Sequence, residues 1–204
     1  MALRFRSAGV GADDLEEMTK DNPNAVTIEA LIGLATKEGV RVELANKLKM
    51  GGKLIDGVFN RATRTIKIQR GVSATTMLYV LVHELAHALT DNNSQMKQGV
   101  RSGSSNSARL QSGGSAFSAK SELIADSAAM RVFRELQVDD GSLYVAAQQV
   151  YYGNLKRLMQ FHLDGESTGE NLLADTTVIT EEADRIEERI LATINESAGP
   201  AAFA

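Results

Sequence analysis

The chain has 204 residues, of which 43% are hydrophobic and 24% are charged, and its formal net charge is -4. This is enough apolar sequence to bury one sizeable core, with one domain and short tails as the simplest organisation. The acidic balance, with a pI of about 5.5, argues against a dominant phosphate-binding surface, and the absence of cysteine excludes disulfides and thiolate metal ligands.

Targeting signals are not evident in the sequence. No apolar run approaches the roughly 18 residues that a membrane-spanning helix needs. The segment 1–6 is not followed by the apolar stretch of a signal peptide. We therefore expect a chain that stays in the cytoplasm and has no membrane partner.

The sequence predicts three regions. Residues 1–24 carry glycine and acidic side chains with weak periodicity and are interpreted as a flexible N-terminal arm. Residues 25–196 are predicted to form one domain, and residues 197–204 a C-terminal tail. At the start of the domain, apolar spacing predicts an amphipathic helix over 27–37, followed by a half-buried strand over 40–44.

Two further strands are predicted after a Gly51-Gly52 turn, over 55–59 and 65–68, joined around residues 60–64. Basic side chains cluster near this hairpin. Alternating charges on an exposed strand more often serve solubility, so charge does not indicate a nucleic-acid partner, although it does not exclude one.

The most informative segment follows. His83 and His87, two of the three histidines, flank Glu84 in the pattern HExxH within an apolar run. Residues four apart lie on the same face of an α-helix, so both imidazoles can reach one cation. On a helix this pattern is typical of zinc hydrolases, in which the histidines hold Zn²⁺ and the glutamate takes a proton from the water that the metal activates.

The sequence around the motif predicts a mostly buried helix over 73–90. Ser73 or Thr75 is expected to cap its start, and residues 91–93 are expected to end it. Two other interpretations remain: a structural helix whose histidines only form hydrogen bonds, or a zinc site without catalysis.

A catalytic zinc usually has a third protein ligand. The extended pattern HExxHxxGxxH fails, because Thr90 and Asn93 occupy its glycine and histidine positions. A carboxylate is the natural candidate, and Glu122 lies in a strongly helical, apolar stretch. Asp126 shares its helix face and is predicted to accept the outer N–H of a ligand histidine. The alternative for Glu122 and Asp126 is a solvated helix face.

HExxH followed on the next long helix by Glu122-Leu-Ile-Ala-Asp126 resembles the gluzincin class of zinc metallopeptidases. The order of elements resembles the minimal zincin domains of the ImmA/IrrE type and the metallopeptidase domain of ArdC-type antirestriction proteins. The resemblance implies an α+β, zincin-like fold, in which a small, mostly antiparallel sheet packs on the HExxH helix and a second, glutamate-bearing helix, with further C-terminal helices. It also implies a strand that pairs with an extended substrate, and a gene often carried by phages or other mobile elements.

Residues 95–118 are rich in serine and glycine and show little periodicity. Long loops without secondary structure inside compact domains are usually functional or mobile. We predict a mobile loop that either covers the cleft as a lid or is a disordered insertion without function.

Three helices are predicted after this loop. The first runs to about residue 136, the second covers 142–163 and the third covers 180–194. Tyr144 and Tyr151, on the second of these helices, are candidates to donate a hydrogen bond to a developing oxyanion.

The predicted function is therefore that of a zinc metallopeptidase acting on a protein or peptide substrate. Zn²⁺ would be held by His83, His87 and Glu122, and Glu84 would activate the water. The alternative is a non-catalytic binding protein on the same scaffold, with zinc in a structural role, acting in antirestriction, in DNA or protein binding, or in a virion.

Overall fold

The computed structural model describes residues 9–98, 114–138, 141–164 and 169–198. Within these ranges the chain belongs to the α+β class, as the sequence predicts, and helices outweigh a small sheet. The chain divides into two compact units. One comprises the described residues up to Ala88 together with those from Glu188 onward, and the other comprises Leu89–Glu187.

The first unit contains two short helices, all five strands and the start of a long helix. The second contains the end of that long helix and the remaining helices. The last residues of the final helix, from Glu188, are grouped with the first unit. In chain order the elements are α1 (Ala12–Thr19), α2 (Ala25–Lys37), β1 (Arg41–Ala45), β2 (Lys49–Met50), β3 (Lys53–Leu54), β4 (Gly57–Asn60), β5 (Thr65–Gln69), α3 (Ala74–Gln98), α4 (Gly114–Glu135), α5 (Gly141–Asp164) and α6 (Gly169–Ala198).

Strand β5 lies between β1 and β4 in a three-stranded sheet. It pairs in parallel with β1 and antiparallel with β4, while β2 and β3 form a separate antiparallel hairpin. Two of the three described strand pairs are thus antiparallel, which confirms the predicted mostly antiparallel sheet. The parallel pairing of β1 with β5 is possible because β4 and the β2–β3 hairpin intervene in the chain.

The core of the first unit follows the predicted periodicities. In β5, Ile66 and Ile68 alternate with more exposed side chains and are fully buried. In α2, Ile28 and Leu31 are fully buried one turn apart, and Gly39 ends the segment with a φ of 69°. Each such side chain contributes on the order of 2 kcal/mol of hydrophobic free energy.

The predicted N-terminal arm covers residues 1–24. The structure describes residues 9–24 of it, and residues 1–8 lie outside the described ranges. Helix α1, within residues 9–24, buries Met18 completely. Asp14 accepts a hydrogen bond from the backbone N–H of Leu44 at 3.0 Å and forms an ion pair with Arg70 at 2.5 Å. The buried Met18 side chain and the polar contacts of Asp14 therefore both hold the described part of this segment in the first unit.

Helix α3 begins where the sequence predicts and ends later. The hydroxyl of Ser73 accepts a hydrogen bond from the N–H of Thr76, which confirms Ser73 as the N-cap. The predicted end at residues 91–93 is wrong, since the helix continues to Gln98. Aspartate and asparagine disfavour a helix by only a fraction of a kcal/mol each, and no glycine or proline follows them before Gln98. Of the predicted mobile loop, residues 99–113 lie outside the described ranges.

The second unit is helical. Helices α4 and α5 pack against each other, and α4 buries the small side chains of Ala125, Ala128 and Ala129. Helix α6 starts at Gly169, about three turns before its predicted start at residue 180. Of the predicted tail, residues 199–204 lie outside the described ranges. None of the described helices is both long and apolar enough to cross a membrane.

Candidate metal centre

The HExxH segment lies within α3, and its apolar residues determine how the motif is oriented. Leu81, Leu85 and Ala88 are fully buried, and so are Val82 and Ala86 between them. Since these side chains occupy the core, the remaining stripe of the helix carries both histidines. His83 is half-buried and His87 is buried.

The two imidazoles point to a common position. Their Nε2 atoms are 3.1 Å apart, and the ring planes are nearly perpendicular, at 81°. Two nitrogens bound to one tetrahedral zinc at their usual bond length are about 3.3 Å apart. The histidine nitrogens are therefore already close to the separation that a shared metal ion requires.

Glu122 completes a group of possible ligands. One ligand atom from each of His83, His87 and Glu122 lies within 4.8 Å of the others. The chain thus has a candidate metal-binding group composed of the three residues that the sequence predicts. Two imidazoles and one carboxylate form a donor set that catalytic zinc sites use, and such a set leaves a coordination position for water.

Glu84, the predicted general base, is buried and held by the sheet. Its Oε2 accepts a hydrogen bond of 2.7 Å from the backbone N–H of Phe59 in β4. The N–H of Gln69 donates to the carbonyl of Asp56, so these two residues form a hydrogen-bonded pair. In an antiparallel sheet, hydrogen-bonded and non-hydrogen-bonded pairs alternate along the strands. Phe59, opposite Ile66, falls in a non-hydrogen-bonded pair, and its N–H points away from β5 toward Glu84.

Gly57 allows α3 to lie close to β4. A Cβ atom at this position would be 2.1 Å from Cγ1 of Val80 and 3.5 Å from Cγ of Glu84. No real Cβ contact is as short as the first distance, so any larger residue would displace the Val80 side chain or the helix. The absence of a side chain at Gly57 therefore helps to bring Glu84 within reach of the strand.

Tyr79 is a neighbour of the site that the sequence analysis missed. Its ring stacks on that of His83, with the centroids 6.1 Å apart and the planes 27° apart. The signal was present, because Tyr79 precedes His83 by four residues and so lies on the same helix face.

Asp126 is buried in α4, at 2% exposure, and its Oδ2 accepts a hydrogen bond of 3.2 Å from the amide of Asn154 in α5. It is therefore not on a solvated helix face. Its predicted hydrogen bond with a ligand histidine stays a prediction. Asn154 did not emerge from the sequence, since a lone asparagine in a helix has no distinctive pattern.

The two tyrosines proposed as oxyanion donors lie together on α5. Tyr144 and Tyr151 line a surface cavity of about 220 Å³ against α4, with Ser127, Met130, Arg131 and Arg134. None of the three candidate ligands is among these lining residues. The role proposed for the tyrosines stays a prediction.

The third histidine of the chain has other partners. His162 is buried, and its Nε2 is 2.9 Å from Oδ2 of Asp175, whose Oδ1 accepts a hydrogen bond from Lys120 at 2.5 Å. These contacts join α4, α5 and α6 within the second unit.

Comparison of the chain with protein-family models, with curated proteins and with solved structures gives no match.

Proposed function

We propose that the chain is a zinc-dependent metallopeptidase that hydrolyses peptide bonds of a protein substrate. The observation that carries the proposal is the convergence of the His83 and His87 Nε2 atoms, 3.1 Å apart, with Glu122 in the same ligand group. The buried Glu84, next to His83 in the sequence, supports a hydrolytic site, because a purely structural site needs ligands but no base.

The ligand residues have separable roles. His83 and His87 would bind through Nε2, and Glu122 would contribute a carboxylate oxygen and a negative charge. Zinc, when bound, would polarise the scissile carbonyl and make a water acidic enough to attack it near neutral pH. The stacked ring of Tyr79 restricts rotation of the His83 imidazole and so favours its ligand orientation.

Glu84 would transfer the proton. It takes a proton from the attacking water as the new C–O bond forms, and it gives that proton to the leaving nitrogen as the C–N bond breaks. The hydrogen bond from Phe59 fixes the direction of the carboxylate, so the group does not have to be ordered during the reaction.

The test is a Glu84→Gln variant, with Glu29→Gln, an exposed position on α2, as the matched control. Glutamine keeps the shape and can still accept from the Phe59 N–H, but it cannot take up the proton. We expect zinc content to be unchanged and cleavage of a proteome-derived peptide library, read by mass spectrometry, to fall at least a hundredfold.

The Glu29→Gln control should cleave like the unaltered chain. A fully active Glu84→Gln protein would contradict the hydrolytic mechanism. Zinc binding without any cleavage by the unaltered chain would favour the non-catalytic binding protein.

A further inference from the structure

Two buried polar side chains, Asp126 of α4 and Asn154 of α5, meet where these two helices pack against each other. Asp126 is 2% exposed and Asn154 is 1% exposed. Burying a carboxylate and an amide costs several kcal/mol unless both are hydrogen-bonded. Ala125 and Ala129 of α4, and Ala147 and Leu158 of α5, are also buried.

The hydrogen bonds of Asn154 determine its orientation. Its Nδ2 donates to Oδ2 of Asp126 at 3.2 Å, and its Oδ1 accepts from Nη2 of Arg157 at 2.7 Å. Arginine is only a donor, so the side facing Arg157 must be the amide oxygen, and the nitrogen must face Asp126. An exposed guanidinium thus fixes the direction of a buried amide, which in turn holds one carboxylate oxygen.

Packing alone does not explain this arrangement. Replacing a buried polar pair by apolar residues of similar size is often neutral or stabilising, so such a pair is weak evidence for stability. Asp126 lies one helical turn after Glu122, on the same face of α4. The buried pair therefore lies where it can influence the proposed metal site.

We propose that Asn154 is a positioning residue for the metal centre and acts through Asp126. It holds Oδ2 of Asp126, so that the carboxylate keeps a single rotamer and presents its other oxygen in a fixed direction. The inference rests on the proposed function, because it assigns the purpose of the pair to zinc binding. Mutating the groups that orient metal ligands typically weakens metal binding about 10- to 100-fold.

The decisive experiment measures zinc affinity by competition with a chromophoric chelator. We expect Asn154→Ala to weaken zinc binding about tenfold. In an Asp126→Ala background, the same Asn154 substitution should cause no further loss, because the group through which it acts is already missing. The visible spectrum of the cobalt-substituted protein gives a second readout, and we expect its bands to broaden or shift in Asn154→Ala.

Gln160→Ala is the matched control. Gln160 is an exposed amide on the same helix that donates to Asp164, four residues later. Its removal should leave zinc affinity unchanged. Arg157→Ala provides a second variant. Because Arg157 is exposed, its replacement leaves no cavity in the protein interior and should not impair folding. Losing Arg157 frees the amide to turn, and we expect zinc affinity to fall two- to threefold.

The outcomes separate the two proposals. If the unaltered chain binds zinc tightly and neither Asn154→Ala nor Arg157→Ala changes the affinity, Asn154 has only a structural role and this inference is wrong. Additive losses in the double variant would also contradict it. If the unaltered chain fails to bind zinc, the proposed function and this inference both fail.

Discussion

Gly57 shows how a single residue connects the sheet to the motif helix. The position has no side chain, and Val80 of α3 fills the space that a Cβ would occupy. Two residues later in β4, the backbone N–H of Phe59 donates a hydrogen bond to Glu84. A methyl group at Gly57 would therefore affect both the packing and the position of Glu84, the proposed general base.

We expect Gly57→Ala to destabilise the protein by about 1–3 kcal/mol, because it overpacks a close helix–strand contact. It should also lower cleavage activity, as α3 moves away from β4. Denaturant unfolding measures the first effect. Gly33→Ala is the matched control, since a Cβ there meets no atom within 4 Å and α2 gains a better helix former. Equal stability of the two variants would show that the contact between β4 and α3 adapts at no cost.

The site residues differ in how far the sequence determines them. His83, Glu84 and His87 follow from local spacing alone, because one helical period places both histidines on one face. Glu122 required chemical reasoning about a missing ligand, and the structure brings it into the same group. Asn154 and Gly57 were not predictable, since their roles depend on which elements approach each other in three dimensions.

Among the elements, the apolar periodicities closely predicted the positions of α2, β1, β4 and β5 and the start of α3. The errors lie at helix ends, where the competing free energies are small. Helix α3 passes through Asp91–Asn93, and α6 starts well before residue 180. Each position in these segments favours or disfavours a helix by less than about 1 kcal/mol, so local pattern does not determine the end.

Helix α1 gives a test of attachment at this scale. Asp14 joins α1 to β1 through the Leu44 N–H, and it also pairs with Arg70. We expect Asp14→Ala to lower the free energy of unfolding by about 1–3 kcal/mol, because the strand N–H loses its acceptor. Denaturant unfolding with an unchanged slope would report this loss.

Asp13→Ala is the control for this test, since Asp13 lies in the same first turn and is exposed. Both variants lose a favourable charge at the helix N-terminus, so their difference isolates the contacts of Asp14. Equal unfolding free energies for the two variants would mean that α1 does not depend on this attachment.

For the whole molecule, the resemblance in the order of elements correctly implied the α+β class but did not specify which strands pair. Parallel pairing of β1 with β5, around an inserted hairpin, depends on long-range contacts that alternation along one strand does not encode. The ligand group likewise joins residues far apart in sequence. It was predictable only through the chemical argument that a catalytic zinc site usually has a third protein ligand.

We propose that His83, His87 and Glu122 together hold one zinc ion. The most direct measurement is metal content by plasma mass spectrometry, together with zinc affinity, for the unaltered chain and for Glu122→Ala. Glu135→Ala, at an exposed position on the same helix, is the control. We predict one zinc per chain in the unaltered protein and in the control, and a large loss of zinc in Glu122→Ala. An unaltered protein that contains no metal and takes up no added zinc would show that these three residues do not form a zinc site.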